Sequence, residues 1–120
     1  MTIIDIGACQ GVQGEYFREF AEYIAVEPYV PKEYIYTMPN SLAFTMTGEG
    51  FIQELLPELQ KQGLDLNRTF CVCSYVPDDY LRDKLIPETF PYYRTTYAAL
   101  ETKQVLPPMY REKRHADMER

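Results

Sequence analysis

The sequence has little of what several functional classes need. It contains no tryptophan, one histidine and three cysteines, and its 12 basic side chains are outnumbered by 18 acidic ones. A small, odd number of cysteines favours a reducing compartment over a disulfide framework. The net charge of −6 argues against a nucleic-acid-binding protein, because such a protein needs a basic face for its phosphate contacts.

Long apolar runs are also missing. No segment approaches the roughly 20 apolar residues of a transmembrane helix. Met1 leads directly into an apolar stretch, without the charged region and cleavage site of a secretory signal. We therefore expect a cytoplasmic protein with no membrane partner. At 46% hydrophobic and 14% aromatic residues, the composition is that of a globular domain with one modest core.

The chain alternates apolar strands with amphipathic helices. Strands are predicted over 2–6, 24–27, 41–46, 69–76 and 92–100, and helices over 14–23, 51–62 and 80–86. We predict a turn at 47–50, a kink at Pro57, a helix stop at Gly63 and another at Pro87. This alternation indicates a Rossmann-like three-layer α/β sandwich, with a mostly parallel sheet of four to five strands, over residues 1–104. Residues 105–120 are charged and predicted to form a tail.

In open parallel sheets, ligands bind beyond the carboxyl ends of the strands. The loops at 7–14, 27–29, 47–50 and 76–79 all follow predicted strands. We therefore expect these four loops to meet at one edge of the sheet and to form the ligand site there.

A glycine loop and a later acid give this edge its chemistry. Gly7, Gly11 and Gly14 allow a sharp turn and a close approach to a ligand. Glu27 comes 22 residues after Asp5, where a carboxylate can accept hydrogen bonds from both ribose hydroxyls. Asp5 would repel a pyrophosphate but would tolerate the ammonium and sulfonium groups of S-adenosylmethionine. The pattern favours S-adenosylmethionine over a dinucleotide.

The stretch IIDIGACQGVQGEYF…YIAVEP resembles motif I and the acidic second-strand motif of class I S-adenosylmethionine-dependent methyltransferases. It is most similar to the FkbM-type family, where a D-x-G-A loop and a strand ending in EP recur. The resemblance covers about a quarter of the chain, and Cys9 departs from a common glycine. The cofactor-binding residues that it implies are Asp5, Gly7, Ala8, Gly11, Glu27 and Pro28.

Two weaker similarities extend this assignment. Glu49 follows the predicted third strand, where the superfamily has a polar residue near the adenine amine. Tyr75 lies at the end of the predicted fourth strand and Asp78 follows it, where catalytic or substrate-facing residues of the superfamily usually lie, so both are candidates for a general base. An Asp pair at 78–79 also fits the N-cap of the next helix, which is the interpretation we favour.

A methyltransferase sheet of this class has more strands than the chain supplies, so the resemblance implies a shortened member. If the protein is active, the acceptor would be a small molecule, a sugar or a protein. The alternatives are a non-catalytic interaction or regulatory subunit with this fold, and a nicotinamide-dinucleotide-binding protein. An exposed sheet edge predicts a homo-oligomer or a partner protein that completes the sheet. No metal is expected, because Cys-x-x-Cys pairs are absent and His115 lies in the predicted tail.

Overall fold

A parallel sheet organises the chain. The computed structural model describes residues 2–8, 22–31, 41–73, 76 and 78–94. In these ranges the strands are β1 (Thr2–Ile6), β2 (Glu22–Val26), β3 (Ser41–Phe44), β4 (Thr69–Cys73) and β5 (Tyr93–Arg94). All neighbouring strands are parallel, and their order is β3-β2-β1-β4-β5. The predicted Rossmann-like α/β fold, with a parallel sheet of four to five strands, is confirmed.

The central strands of the sheet are buried on both faces. Every residue of β1 and of β4 is buried, as their continuous apolar sequences predict. Because side chains alternate along a strand, two cores result. One core packs against the helices and contains Ile4, Ile6, Ile24, Val26, Cys71 and Cys73. The opposite core contains Ile3, Tyr23, Ala25, Phe70 and Val72. Burial on both faces is what a three-layer arrangement requires.

Helix α1 (48–61) consists of a short α turn (Gly48–Gly50), a π turn (Phe51–Leu55) and an α segment (Leu56–Lys61). The prediction of a turn at 47–50 is wrong, because Thr47 caps a helix that begins at Gly48. Its hydroxyl accepts a hydrogen bond from the Gly50 amide at 3.0 Å. The irregularity predicted at Pro57 is the π turn just before it, and Gly63 follows the helix with a φ of 109°.

Helix α2 (79–89) begins after Asp78 and contains a π turn (Leu81–Leu85) and an α segment (Ile86–Thr89). The predicted stop at Pro87 is wrong, since the helix continues to Thr89. Pro87 occupies the first turn of the α segment, where its missing N–H costs little. The preceding π turn, closed by a bond from the Ile86 amide to the Leu81 carbonyl, accommodates the proline.

Several boundaries differ from the sequence prediction. Strand β2 begins at Glu22 rather than at residue 24, while β3 ends at Phe44 and β4 at Cys73, before the predicted ends. The helix predicted over 14–23 is wrong for residues 22 and 23, which begin strand β2, and the rest of it lies outside the described residues. The tail predicted over 105–120 and most of the strand predicted over 92–100 also lie outside them. Within the described ranges, no helix has the length and hydrophobicity needed to cross a bilayer.

Candidate functional site

A cavity of about 140 Å³ opens at the carboxyl edge of the sheet. Four of its lining residues follow successive strands: Gly7 after β1, Glu27 after β2, Thr47 after β3 and Val76 after β4. The cavity also lies at the point where the strand order reverses, between β1 and β4. This is the position at which doubly wound sheets bind their ligands, so the topology brings the four loops together as predicted.

Gly7 allows the chain to leave β1 towards the cavity. Its φ of 74° lies in the left-handed region that favours glycine. The amides of Gly7 and Ala8 both donate to the Val26 carbonyl, at 2.9 and 3.2 Å. These two bonds fix the end of β1 against the end of β2, so that Gly7 and Glu27 line the same cavity. Ala8 is buried in the core opposite the helices and does not line the cavity.

Glu27 is the most deeply buried charged residue of the cavity wall, with 4% of its surface exposed. Its Oε2 accepts a 2.6 Å hydrogen bond from the Tyr29 amide, and its own amide donates to the Phe44 carbonyl at 3.0 Å. Pro28 and Tyr29 line the rim, and the Tyr29 ring is 87% exposed.

Asp5 lies beside the cavity rather than on its wall. It is fully buried, and its Oδ2 accepts a hydrogen bond from the Tyr23 hydroxyl. Tyr23 is paired in register with Ile3 on the neighbouring strand, two positions before Asp5 and therefore on the same face of the sheet. The sequence predicted that Asp5 binds the cofactor. In the structure its carboxylate is bonded to Tyr23 in the core and is not part of the described cavity wall.

The floor of the cavity depends on a glycine. A Cβ atom at Gly48 would lie 2.6 Å from Ile6 Cγ2 and 2.7 Å from Leu81 Cδ2, closer than any ordinary contact. Gly48, Ile6 and Leu81 all line the cavity, so α1, α2 and β1 meet at its floor. Glu49, predicted near the adenine amine, is exposed, accepts a 3.4 Å bond from the Gln53 amide group and is not part of the wall.

Asp78 caps helix α2, as the favoured interpretation of the Asp pair holds. Its Oδ1 accepts hydrogen bonds from the amides of Tyr80 and Leu81, at 3.0 and 3.2 Å. Asp78 also lines the cavity, near the apolar side chains of Val76 and Leu81. Among the described lining residues, the charged groups are the carboxylates of Glu27 and Asp78, and none is a lysine or an arginine.

The two described cysteines lie in the core rather than on the cavity wall. Both are buried free thiols on the helix-facing side of β4. Burial raises the pKa of Cys73 to about 12, and burial, with the charges of Cys73 and Asp5, holds the pKa of Cys71 well above its usual range. Both are therefore protonated at neutral pH, whereas the thiolate is the reactive and metal-binding form. In the described part of the chain, no three metal-ligating side chains cluster.

The cavity combines predicted residues with others that the sequence did not reveal. Gly7, Glu27 and Pro28 were predicted and line it, whereas Asp5, Ala8 and Glu49 do not; Gly11 and Tyr75 lie outside the described residues. The loops predicted to form the site supply five further wall residues: Tyr29, Thr47, Gly48, Val76 and Asp78. The wall residues that sequence reasoning missed are Ile6 and Leu81. Thr47 could have been found as an N-cap, but the approach of Gly48 to Leu81 is a tertiary contact with no local signal.

Comparisons with known proteins return no relative: no family model, curated protein or solved structure matches this chain. The chain is a Rossmann-like α/β protein with a candidate site where the strand order reverses, between β1 and β4. The described wall of this site is mostly apolar and carries two carboxylates, those of Glu27 and Asp78. Any functional assignment therefore rests on the geometry and charge of that site.

Proposed function

We propose that this chain is a methyltransferase-like protein that binds S-adenosylmethionine, or its demethylated product, in the carboxyl-edge cavity. One observation carries the proposal: the buried Glu27 carboxylate lies at the end of β2 and lines a cavity at the switch point of the sheet. An acid in this position is suited to accept hydrogen bonds from the two ribose hydroxyls of a nucleoside.

The size of the cavity fits part of such a ligand. Its volume of about 140 Å³ is close to the roughly 150 Å³ of an apolar cavity that holds a benzene ring. Sites for whole drug-sized ligands span about 300–1,000 Å³. We assign the cavity to the adenosine portion, with the ribose at Glu27 and the 5′ substituent directed towards Gly7 and Asp78. The methionine portion would extend past Gly7.

The charge of the wall disfavours the nicotinamide alternative. A dinucleotide carries a pyrophosphate, whereas the described wall contains two carboxylates and no cationic side chain. Like charges in a partly closed site repel more strongly than in bulk water. S-adenosylmethionine instead brings an ammonium and a sulfonium group, so an acidic wall attracts it.

If methyl transfer occurs, an acceptor atom displaces the sulfonium directly at the methyl carbon, and the protein contributes mainly by positioning the two. The acidic composition favours a small-molecule, sugar or protein acceptor over RNA. The second candidate function is a non-catalytic binding or regulatory subunit. It is favoured by Asp78, whose Oδ1 is engaged in capping α2 and is poorly suited to act as a general base.

The test is calorimetric titration of the chain with S-adenosylmethionine and S-adenosylhomocysteine. We expect micromolar binding, and we expect Glu27→Ala to weaken it by about 1.5–3 kcal/mol, the scale of hydrogen bonds to a charged group. Glu22→Ala is the matched control, because Glu22 is an exposed acid at the opposite end of the same strand. Failure of the wild-type chain to bind either ligand would contradict the proposal.

We also propose that a second copy of the chain, or a partner protein, pairs with β3 and so completes the sheet. The low number of cysteines favours a reducing compartment such as the cytoplasm for the protein. Within the described residues β3 pairs only with β2, and Leu42 on this strand is 52% exposed. Exposed edge strands tend to pair with other chains. Light scattering after size exclusion should show an oligomer that Leu42→Lys converts to monomer. A wild-type monomer at high concentration would refute self-association.

A further inference from the structure

Two helices begin at the rim of the cavity. Thr47 precedes α1 and Asp78 precedes α2, and both residues line the cavity wall. A helix N-terminus carries partial positive charge and unpaired amides, so it commonly binds phosphate. Two such ends at one cavity would ordinarily favour a phosphorylated ligand.

The N-termini of α1 and α2 are both capped by side chains of the protein itself. Thr47 Oγ1 accepts from the Gly50 amide at 3.0 Å, and Asp78 Oδ1 accepts from the amides of Tyr80 and Leu81 at 3.0 and 3.2 Å. Three of the first-turn amides that an anion would use, those of Gly50, Tyr80 and Leu81, are therefore already bonded. Asp78 adds a negative charge to the wall, and the positive end of α2 stabilises that charge in place.

We infer that Asp78 makes the cavity selective for nucleosides with a neutral or cationic 5′ substituent, such as a thioether or a sulfonium, and excludes nucleoside 5′-phosphates. Capping and charge act together: a phosphate would find the Tyr80 and Leu81 amides occupied and would face the carboxylates of Asp78 and Glu27. This inference rests on the proposed function, because it assumes that a nucleoside occupies the cavity.

Asp79 provides a natural control for this charge. It is the next residue in the chain and, like Asp78, is exposed, but its carboxylate forms an ion pair with Arg82 Nη2 at 2.5 Å. It does not belong to the described cavity wall. Removing the Asp79 carboxylate changes the net charge by the same amount as removing that of Asp78, without changing the wall.

The experiment measures the dissociation constants of S-adenosylhomocysteine, adenosine and AMP at low ionic strength. The three proteins compared are the wild-type chain, Asp78→Ser and Asp79→Ser. Serine also serves as an N-cap, so Asp78→Ser removes the charge while keeping the cap. Thermal melting of each variant verifies that it is folded, and the ratio of AMP to adenosine affinity cancels any general loss of binding.

We expect the wild-type chain to bind adenosine at least about tenfold more tightly than AMP, as for like charges within one small site. Asp78→Ser should reduce this preference by about fivefold or more, while Asp79→Ser leaves it within about twofold, because the Asp79 carboxylate lies outside the described cavity wall and is paired with Arg82. Equal wild-type affinity for adenosine and AMP, or equal shifts in the two variants, would overturn the inference while leaving nucleoside binding intact. Absence of binding by all three ligands would overturn the proposed function, and the inference with it.

Discussion

Gly48 packs closely against Ile6 and Leu81, which also line the cavity. A substitution at Gly48 should therefore affect both the stability of the fold and the shape of the cavity. A methyl group added there would lie 2.6 Å from Ile6 Cγ2 and 2.7 Å from Leu81 Cδ2. This is about 1 Å shorter than the roughly 3.5–4.0 Å of a favourable carbon–carbon contact. Gly48→Ala therefore forces Ile6, Leu81 or the start of α1 to move.

The net cost follows from two opposing effects. Forcing one methyl group into a packed site costs about 1–3 kcal/mol. Replacing glycine by alanine in a helix recovers about 0.4–1 kcal/mol, because the unfolded chain loses freedom. We expect Gly48→Ala to lower the free energy of unfolding by about 1–2 kcal/mol. Because Ile6 and Leu81 line the cavity, their displacement should also weaken S-adenosylhomocysteine binding.

Urea unfolding followed by circular dichroism measures this cost, with Gly50→Ala as the matched control. At Gly50 the added methyl would meet Thr47 Oγ1 at 3.0 Å and Met46 Cε at 3.8 Å, so that variant should stay within about 0.5 kcal/mol of wild type. If Gly48→Ala lowers the urea concentration at the unfolding midpoint but leaves the dependence of the unfolding free energy on urea concentration unchanged, the variant has lost stability. Equal stability of the two variants would refute the argument from close packing.

Three further perturbations test other parts of the molecule. Tyr23→Phe removes the donor to the buried Asp5 carboxylate and should cost about 1–3 kcal/mol in urea unfolding; an unchanged midpoint would show that the bond contributes nothing. The pKa of Cys73 is raised from 9.0 to about 12, so folding favours the neutral thiol, and its contribution is complete below pH 9 and is lost as pH rises towards 12. The alkaline loss of stability should therefore be smaller in Cys73→Ala, and an identical loss would contradict the assignment. Tyr29→Ala should leave stability within about 0.5 kcal/mol, because the ring is exposed, but should weaken nucleoside binding in calorimetry if the ring stacks on the base; unchanged affinity would exclude that contact.

The strands and the position of the site could be predicted from the sequence because their signals are local. The continuous apolar runs of β1 and β4 specify strands buried on both faces, and the glycine after β1 and the acid after β2 specify what lies at their carboxyl ends. Parallel pairing then places these ends together. Gly7 and Glu27 were found in this way, and the structure brings both to one cavity.

The remaining features depend on competition between signals or on tertiary contact. The glycines at 48 and 50 led to the prediction of a turn, whereas Thr47 is the N-cap of α1 in the structure. Pro87 was interpreted as a helix stop because a π turn before it has no clear sequence signature. The bond between Tyr23 and Asp5 requires the register of β1 against β2, which hydrophobic pattern alone does not specify.

That bond has a consequence for how the parallel sheet assembles. A slip of β2 by one residue would move the Tyr23 hydroxyl to the opposite face and leave the Asp5 charge buried without this donor. The same slip would displace Glu27, four residues further along the chain, from the cavity. If a nucleoside binds at Glu27 as proposed, it therefore binds only the native register. At a ligand concentration of about 100 times the dissociation constant, binding would add roughly 2.7 kcal/mol to that register alone, so the ligand would act as a selector of correctly paired strands.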